Sequence, residues 1–155
     1  MDFPVIFNIM GRIMNIEKNK ELIEKNTLEN NLELIIFRRY KHTAGDRCQV
    51  TFEAGIDVEI KGEYFEDQAL NSLDINNARS LLGKKTSYCY RKTRNFVSEN
   101  ERDKIFTELK RQFLDNSLAY ISSPSFPAKL IKRNYAIAQK EETIRLQQEA
   151  YLKNT

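Results

Sequence analysis

The chain is poor in the residues on which common catalytic centres are built. It has one histidine, His42, so no histidine-based metal cluster can form. Its two cysteines, Cys48 and Cys89, stand far apart, and no Cys-x-x-Cys pair exists for metal or redox work. Two isolated thiols fit a reducing compartment better than a disulfide framework, and the chain is read as cytoplasmic. Five scattered glycines form neither a phosphate loop nor a dinucleotide-binding fingerprint. A nucleophile made from a cysteine and His42 would need an accessible, electropositive thiol, whereas the pattern turns Cys48 inward. The paired acids Glu66-Asp67 and Glu141-Glu142 read as solvated faces. No catalytic residue, metal or cofactor is therefore expected. No apolar run reaches the length that crosses a bilayer, and the apolar start Phe3-Pro4-Val5-Ile6-Phe7 lacks the flanks of a signal peptide, so no membrane partner is expected either.

What is present is a long alternation. From Cys48 through Val50, Phe52, Ala54, Ile56, Val58 and Ile60, every second residue is apolar, and those between are mostly polar or charged. That is the pattern of a strand with one face on a core and one in water. Leu32, Leu34 and Ile36 precede it, continued by Arg38 and Tyr40. Residues 32–60 thus predict one long β-hairpin. For both apolar sets to share a face, opposed residues must sum to an even number. A loop of Thr43, Ala44 and Gly45, with Gly45 left-handed, gives that parity and sets Ile36 opposite Phe52 and Leu34 opposite Ala54. Arg38 then falls on the apolar face opposite Val50, its stem covering the core edge, with Glu101 or Glu108 as candidate partners. Gly55 is read as a bend or close approach.

At 155 residues the chain can bury a core without staples. Residues 14–138 are assigned to a single α+β domain. Residues 1–13 form an N-terminal extension, Met14 being an alternative start, and residues 139–155 a polar extension of the last helix. Residues 15–25 are helix-compatible and predict a short helix, followed by a turn at Asn30-Asn31. Asp74 and Gly83 bracket a short helix as N-cap and C-terminal stop. Residues 86–97 carry the β-branched and aromatic content of a third strand, with Tyr88, Tyr90 and Phe96 on one parity. Ser98-Glu99-Asn100-Glu101 is a capping-box pattern, and the helix behind it carries Ile105, Phe106, Leu109, Phe113 and Ile121. Pro124 ends that helix and Pro127 opens the last one. The expected fold is an antiparallel sheet of about three strands built on the hairpin, covered by two or three C-terminal helices.

The net charge is only +3, yet charge is unevenly placed. Arg38, Arg39, Lys41 and Arg47 cluster at the hairpin tip, and Arg91, Lys92 and Arg94 follow Tyr90 on the third strand. Glu53, Asp57, Glu59, Glu63, Glu66 and Asp67 are assigned to the opposite end. Guanidiniums for phosphates and a ring for stacking are what single-stranded nucleic acid binding uses. These eight residues, Arg38, Arg39, Lys41, Arg47, Tyr90, Arg91, Lys92 and Arg94, form the candidate site. The expected role is a non-enzymatic binding or accessory one toward an anionic partner, nucleic acid or an acidic protein surface. The alternative is helix-mediated assembly through the C-terminal helix; a small enzyme with an unrecognised site ranks last.

Overall fold

The structure is a computed structural model, and it describes residues 19–66 and 73–154. The N-terminal extension therefore lies outside the described residues. Four strands form one antiparallel sheet in the order β1-β2-β3-β4: β1 (Glu21–Thr27), β2 (Glu33–Ala44), β3 (Arg47–Glu59) and β4 (Lys85–Ser98). Three helices accompany it: α1 (Ile75–Leu82), α2 (Arg102–Ile121) and α3 (Phe126–Lys153). The expected α+β class is found, with one strand more than expected. No described helix is long and apolar enough to cross a membrane.

The extra strand replaces a helix. Residues 21–25, read as part of a helix, belong to β1, which pairs with β2 from Glu21↔Arg38 to Thr27↔Glu33. The local preference for helix is weak and shared by few apolar residues. Pairing with β2 satisfies a row of backbone groups that would otherwise lie open at the sheet edge, and that wins. The turn at Asn30-Asn31 forms as expected. Asn31 takes a left-handed φ of 67°, and its N–H donates to Leu28 C=O. Asn30 accepts from Leu32 N–H and donates to the carbonyls of Ile121 and Ser123, tying the turn to the end of α2.

The β2–β3 pairing keeps the expected parity and shifts by two residues. Ile36 faces Ala54, Arg38 faces Phe52, and Tyr40 faces Val50. The cause lies at the turn. Thr43 and Ala44 stay in β2, a bulge between His42 and Ala44 absorbs one residue, and a two-residue turn at Gly45-Asp46 closes the hairpin. Gly45 has the left-handed φ of 56° expected of it. Gly55 is no forced glycine, since a Cβ there would meet only Tyr88 O at 3.8 Å.

The molecule divides into two compact units. The first comprises Met1–Asp57 and Ser87–Pro124, the second Val58–Thr86 and Ser125–Thr155. In the first, Leu34 and Ile36 of β2 and Cys48, Val50, Phe52, Ala54 and Ile56 of β3, all even-numbered, are buried. α2 lays Phe106, Leu109, Phe113 and Ile121 inward. The ring of Phe52 stands 5.7 Å from Phe106, 5.4 Å from Phe113 and 6.1 Å from Tyr90, so one aromatic cluster locks helix to sheet. Cys48, buried, and Cys89, half-buried, are both free of disulfide bonds.

Two local expectations give way here. Phe96 leaves the parity of Tyr88 and Tyr90: it has φ 55°, is 74% exposed, and hands the inward position to Val97. The Ser98 side chain makes no capping bond, because Ser98 ends β4. A 3-10 turn at Glu99–Glu101 intervenes before α2 begins. In the second unit, α1 forms as read, with the Asp74 side chain accepting from Asn76 N–H and Gly83 at φ 85°. Arg79 donates to Ile60 C=O, and the buried Asn134 of α3 donates to Thr86 at 2.7 Å. Past Ala138, α3 continues unbroken to Lys153 with no buried residue.

Candidate functional site

Register decides which charges share a surface. β2–β3 partners sum to 90. The side-chain pairs Gln49–Asn95, Thr51–Thr93, Glu53–Arg91 and Asp57–Ser87 set the β3–β4 sum at 144. The odd-numbered residues therefore meet on the face opposite the aromatic core. There they form three transverse rows: Phe37, Glu53 and Arg91; Arg39, Thr51 and Thr93; Lys41, Gln49 and Asn95.

Glu53 is the centre of the first row. Its residue is only 6% exposed, and it lies between two cations. Lys20 Nζ donates to one carboxylate oxygen at 2.5 Å, while Arg91 donates through Nε at 3.0 Å and a second nitrogen at 2.5 Å to the other. Burial alone raises the pKa of such a carboxyl, but the hydrogen bonds from Lys20 and Arg91 outweigh it and hold Glu53 below the usual carboxylate range. Lys20 Nζ also stands 4.0 Å from the centre of the Phe37 ring, a cation–π contact. In the next rows Arg39 donates to Gln49 Oε1 at 3.3 Å, Gln49 donates to Asn95 at 2.8 Å, and the hydroxyls of Thr51 and Thr93 lie 3.3 Å apart. Arg39 Nε is buried and has no hydrogen-bond partner among the described residues.

The hollow among Lys20, Arg39, Glu53 and Arg91 holds only about 10 Å³, room for roughly one water molecule. A drug-sized ligand needs some hundreds of Å³, so this hollow cannot enclose a small substrate. No cluster of metal-ligating side chains occurs among the described residues.

The eight candidate residues do not form one surface. Arg39, Lys41 and Arg91 lie on the polar face. By parity Arg38, Tyr90, Lys92 and Arg94 belong to the other. Arg38 pairs with Glu21 at 2.8 Å, not with Glu101 or Glu108, and its guanidinium lies 4.7 Å from the Tyr40 ring and 5.6 Å from Phe106. It faces Phe52 rather than Val50 because of the register shift. Tyr90 is held against Phe113 at 4.9 Å and serves the core. Lys92 and Arg94 are exposed. Arg47 sits at the turn beside Asp46 and donates to Phe96 C=O.

A second constellation surrounds Tyr40. Its ring lies between the guanidiniums of Arg38 and Arg102, and its hydroxyl donates to Asp103 at 2.6 Å. Burial and that hydrogen bond push the phenol up to about 12, so it stays neutral at physiological pH.

Lys20, Gln49, Thr51, Glu53, Thr93 and Asn95 were not among the candidates. Glu53, expected among the acids at the far end of the hairpin, lies instead between Lys20 and Arg91. The β3–β4 register was the missing signal, and Lys20 was hidden in a stretch read as helix. Compared with protein-family models, curated proteins and solved structures, the chain matches none.

Proposed function

We propose that the protein is a non-enzymatic binding module that engages single-stranded nucleic acid along the polar face of its sheet. One observation carries this. Within the three rows and the adjoining Lys20, four cations accompany one carboxylate, and the hollow among them is too small for a small molecule. Such a face suits an extended polyanion, with Arg39 and Lys41 on phosphates and the amides of Gln49 and Asn95 as further donors. Arg91 is oriented by Glu53, which leaves Arg39 and Lys41 as the contacts to alter first.

The test is fluorescence anisotropy of labelled single-stranded RNA and DNA at about 50 and 200 mM salt. Phosphate contacts by Arg39, Lys41 and Arg91 on a single strand predict affinity roughly 20-fold weaker at the higher salt. Arg39→Ala/Lys41→Ala should cost at least about tenfold at the lower salt, whereas Lys92→Ala/Arg94→Ala, on the other face, should cost little. An absence of saturable binding at the lower salt would refute the proposal.

A second function rests on α3. Ile144, Tyr151 and Leu152 recur at i, i+7 and i+8 and are 44%, 71% and 69% exposed, with Gln147 and Gln148 among them. Spacing of that kind presents one face for a second copy of the helix, although too sparse for a sustained heptad seam. Self-association through it predicts a molar mass by light scattering that rises with concentration. Truncation after Gln139 should abolish the rise. A mass that stays monomeric in the full chain at high concentration would exclude it.

A further inference from the structure

β1 forms one edge of the sheet, and part of that edge is open. Leu28 N–H donates to Leu32 C=O at 2.8 Å, so Leu28 turns its backbone groups inward. Antiparallel alternation then turns Asn26 and Glu24 inward and sends the N–H and C=O of Lys25 and Thr27 outward. Among the described residues nothing bonds to those outward groups. Nearer the start of β1, a bulge between Leu22 and Glu24 interrupts the ladder and limits the regular open edge to this short stretch.

Beside the open edge runs a groove of about 670 Å³. Residues 26–29 make one wall, Leu114, Leu118 and Ala119 of α2 the other, and the side chain of Leu34 also lines it. Its width is preset, because Asn30 ties the β1–β2 turn to the carbonyls of Ile121 and Ser123, both at 2.9 Å. Leu118 is 41% exposed beside it. One lining residue is charged, Glu29, and it is exposed with no ion-pair partner among the described residues; nearby Glu24 is already paired with Lys110 and Glu33 with Lys25.

We propose that this groove binds an extended peptide that adds as a strand to β1, antiparallel to it. Alternate apolar side chains of the peptide pack against Leu118 and Leu114, and a basic residue near its N-terminal end meets Glu29. The outward amides and carbonyls at Lys25 and Thr27 ask for a backbone and not for a bare hydrocarbon chain, which could satisfy none of them. Antiparallel pairing is the slightly more stable choice, and it brings the peptide's N-terminal end to Thr27 and so to Glu29. The Glu29 carboxylate sets the sign of the charge that complements it.

The probe is a fluorescent nonapeptide of alternating leucine and threonine opened by two lysines, titrated with the full chain. Saturable binding is expected below about 1 mM, a modest affinity by the scale of short strand additions. N-methylation at alternate peptide bonds should weaken it at least about tenfold by removing the donors to the edge. Leu118→Glu, at an exposed position that leaves the core intact, should weaken it similarly. Glu29→Lys should invert the preference between this peptide and one opened by two glutamates. No binding at 1 mM would overturn the proposal. So would binding that survives N-methylation, an undiminished affinity in L118E, or an unchanged preference in E29K.

Discussion

Phe52→Ala should lower the unfolding free energy by about 4 kcal/mol, the largest effect of any single truncation in the first unit. Phe52 is fully buried and its ring contacts Phe106, Phe113 and Tyr90 at once. Two of those rings come from α2 and one from β4, so the cavity left behind borders three elements and cannot be refilled by one side chain turning. The cost therefore includes both the lost transfer of the ring from water and the void that remains. Urea denaturation followed by circular dichroism measures it. A loss below about 1.5 kcal/mol, the range of a tolerated volume-conserving swap, would mean that the helix does not depend on this cluster.

The second large effect belongs to Glu53→Gln. The substitution keeps the shape and removes the charge that Lys20 and Arg91 share. Breaking a fully buried pair costs about 3–5 kcal/mol. The Arg91 side chain is still 34% exposed, and water screens part of its loss, so about 2 kcal/mol at pH 7 is expected. The pH dependence has a definite sign. Glu53 titrates lower in the folded protein than in the unfolded chain. Its stabilisation is complete above the ordinary carboxylate value of about 4.3 and is lost as pH falls through the lowered folded value. Wild type and variant should therefore differ most near neutrality and converge in acid. Urea titrations of both proteins at neutral pH and near pH 3 decide it; a gap that widens in acid would contradict the assignment of Glu53 as the charged centre.

The fold was legible where one residue's environment repeats along the chain. The alternation from Cys48 to Ile60 announced β3, Asp74 and Gly83 marked both ends of α1, and Pro124 and Pro127 marked the break between α2 and α3. β1 was hidden because an edge strand needs no regular alternation. Its Lys25 and Glu24 are exposed or ion-paired, and its conformation comes from β2 rather than from its own composition. The parity of the hairpin was readable but its register was not, since a bulge of one residue and a turn shorter by one are silent in the pattern of apolar positions. The polar face suffered most from this. Arg39 and Lys41 could be found as charges near a turn, but Arg38 beside them serves the core and Glu53 far from them in sequence joins Arg91. Which charge faces which way is a property of two registers together, and a positive φ at Phe96 changes the parity again at the end of β4.

The division into Met1–Asp57 with Ser87–Pro124, and Val58–Thr86 with Ser125–Thr155, has a consequence for how the gene can be cut. A reading frame stopped after residue 124 still encodes every segment of the first unit, with residues 58–86 carried as an insertion. No continuous frame encodes the second unit without also encoding residues 87–124 of the first. On the ribosome, likewise, the second unit waits for α3, made long after its own strand ends and α1 have emerged.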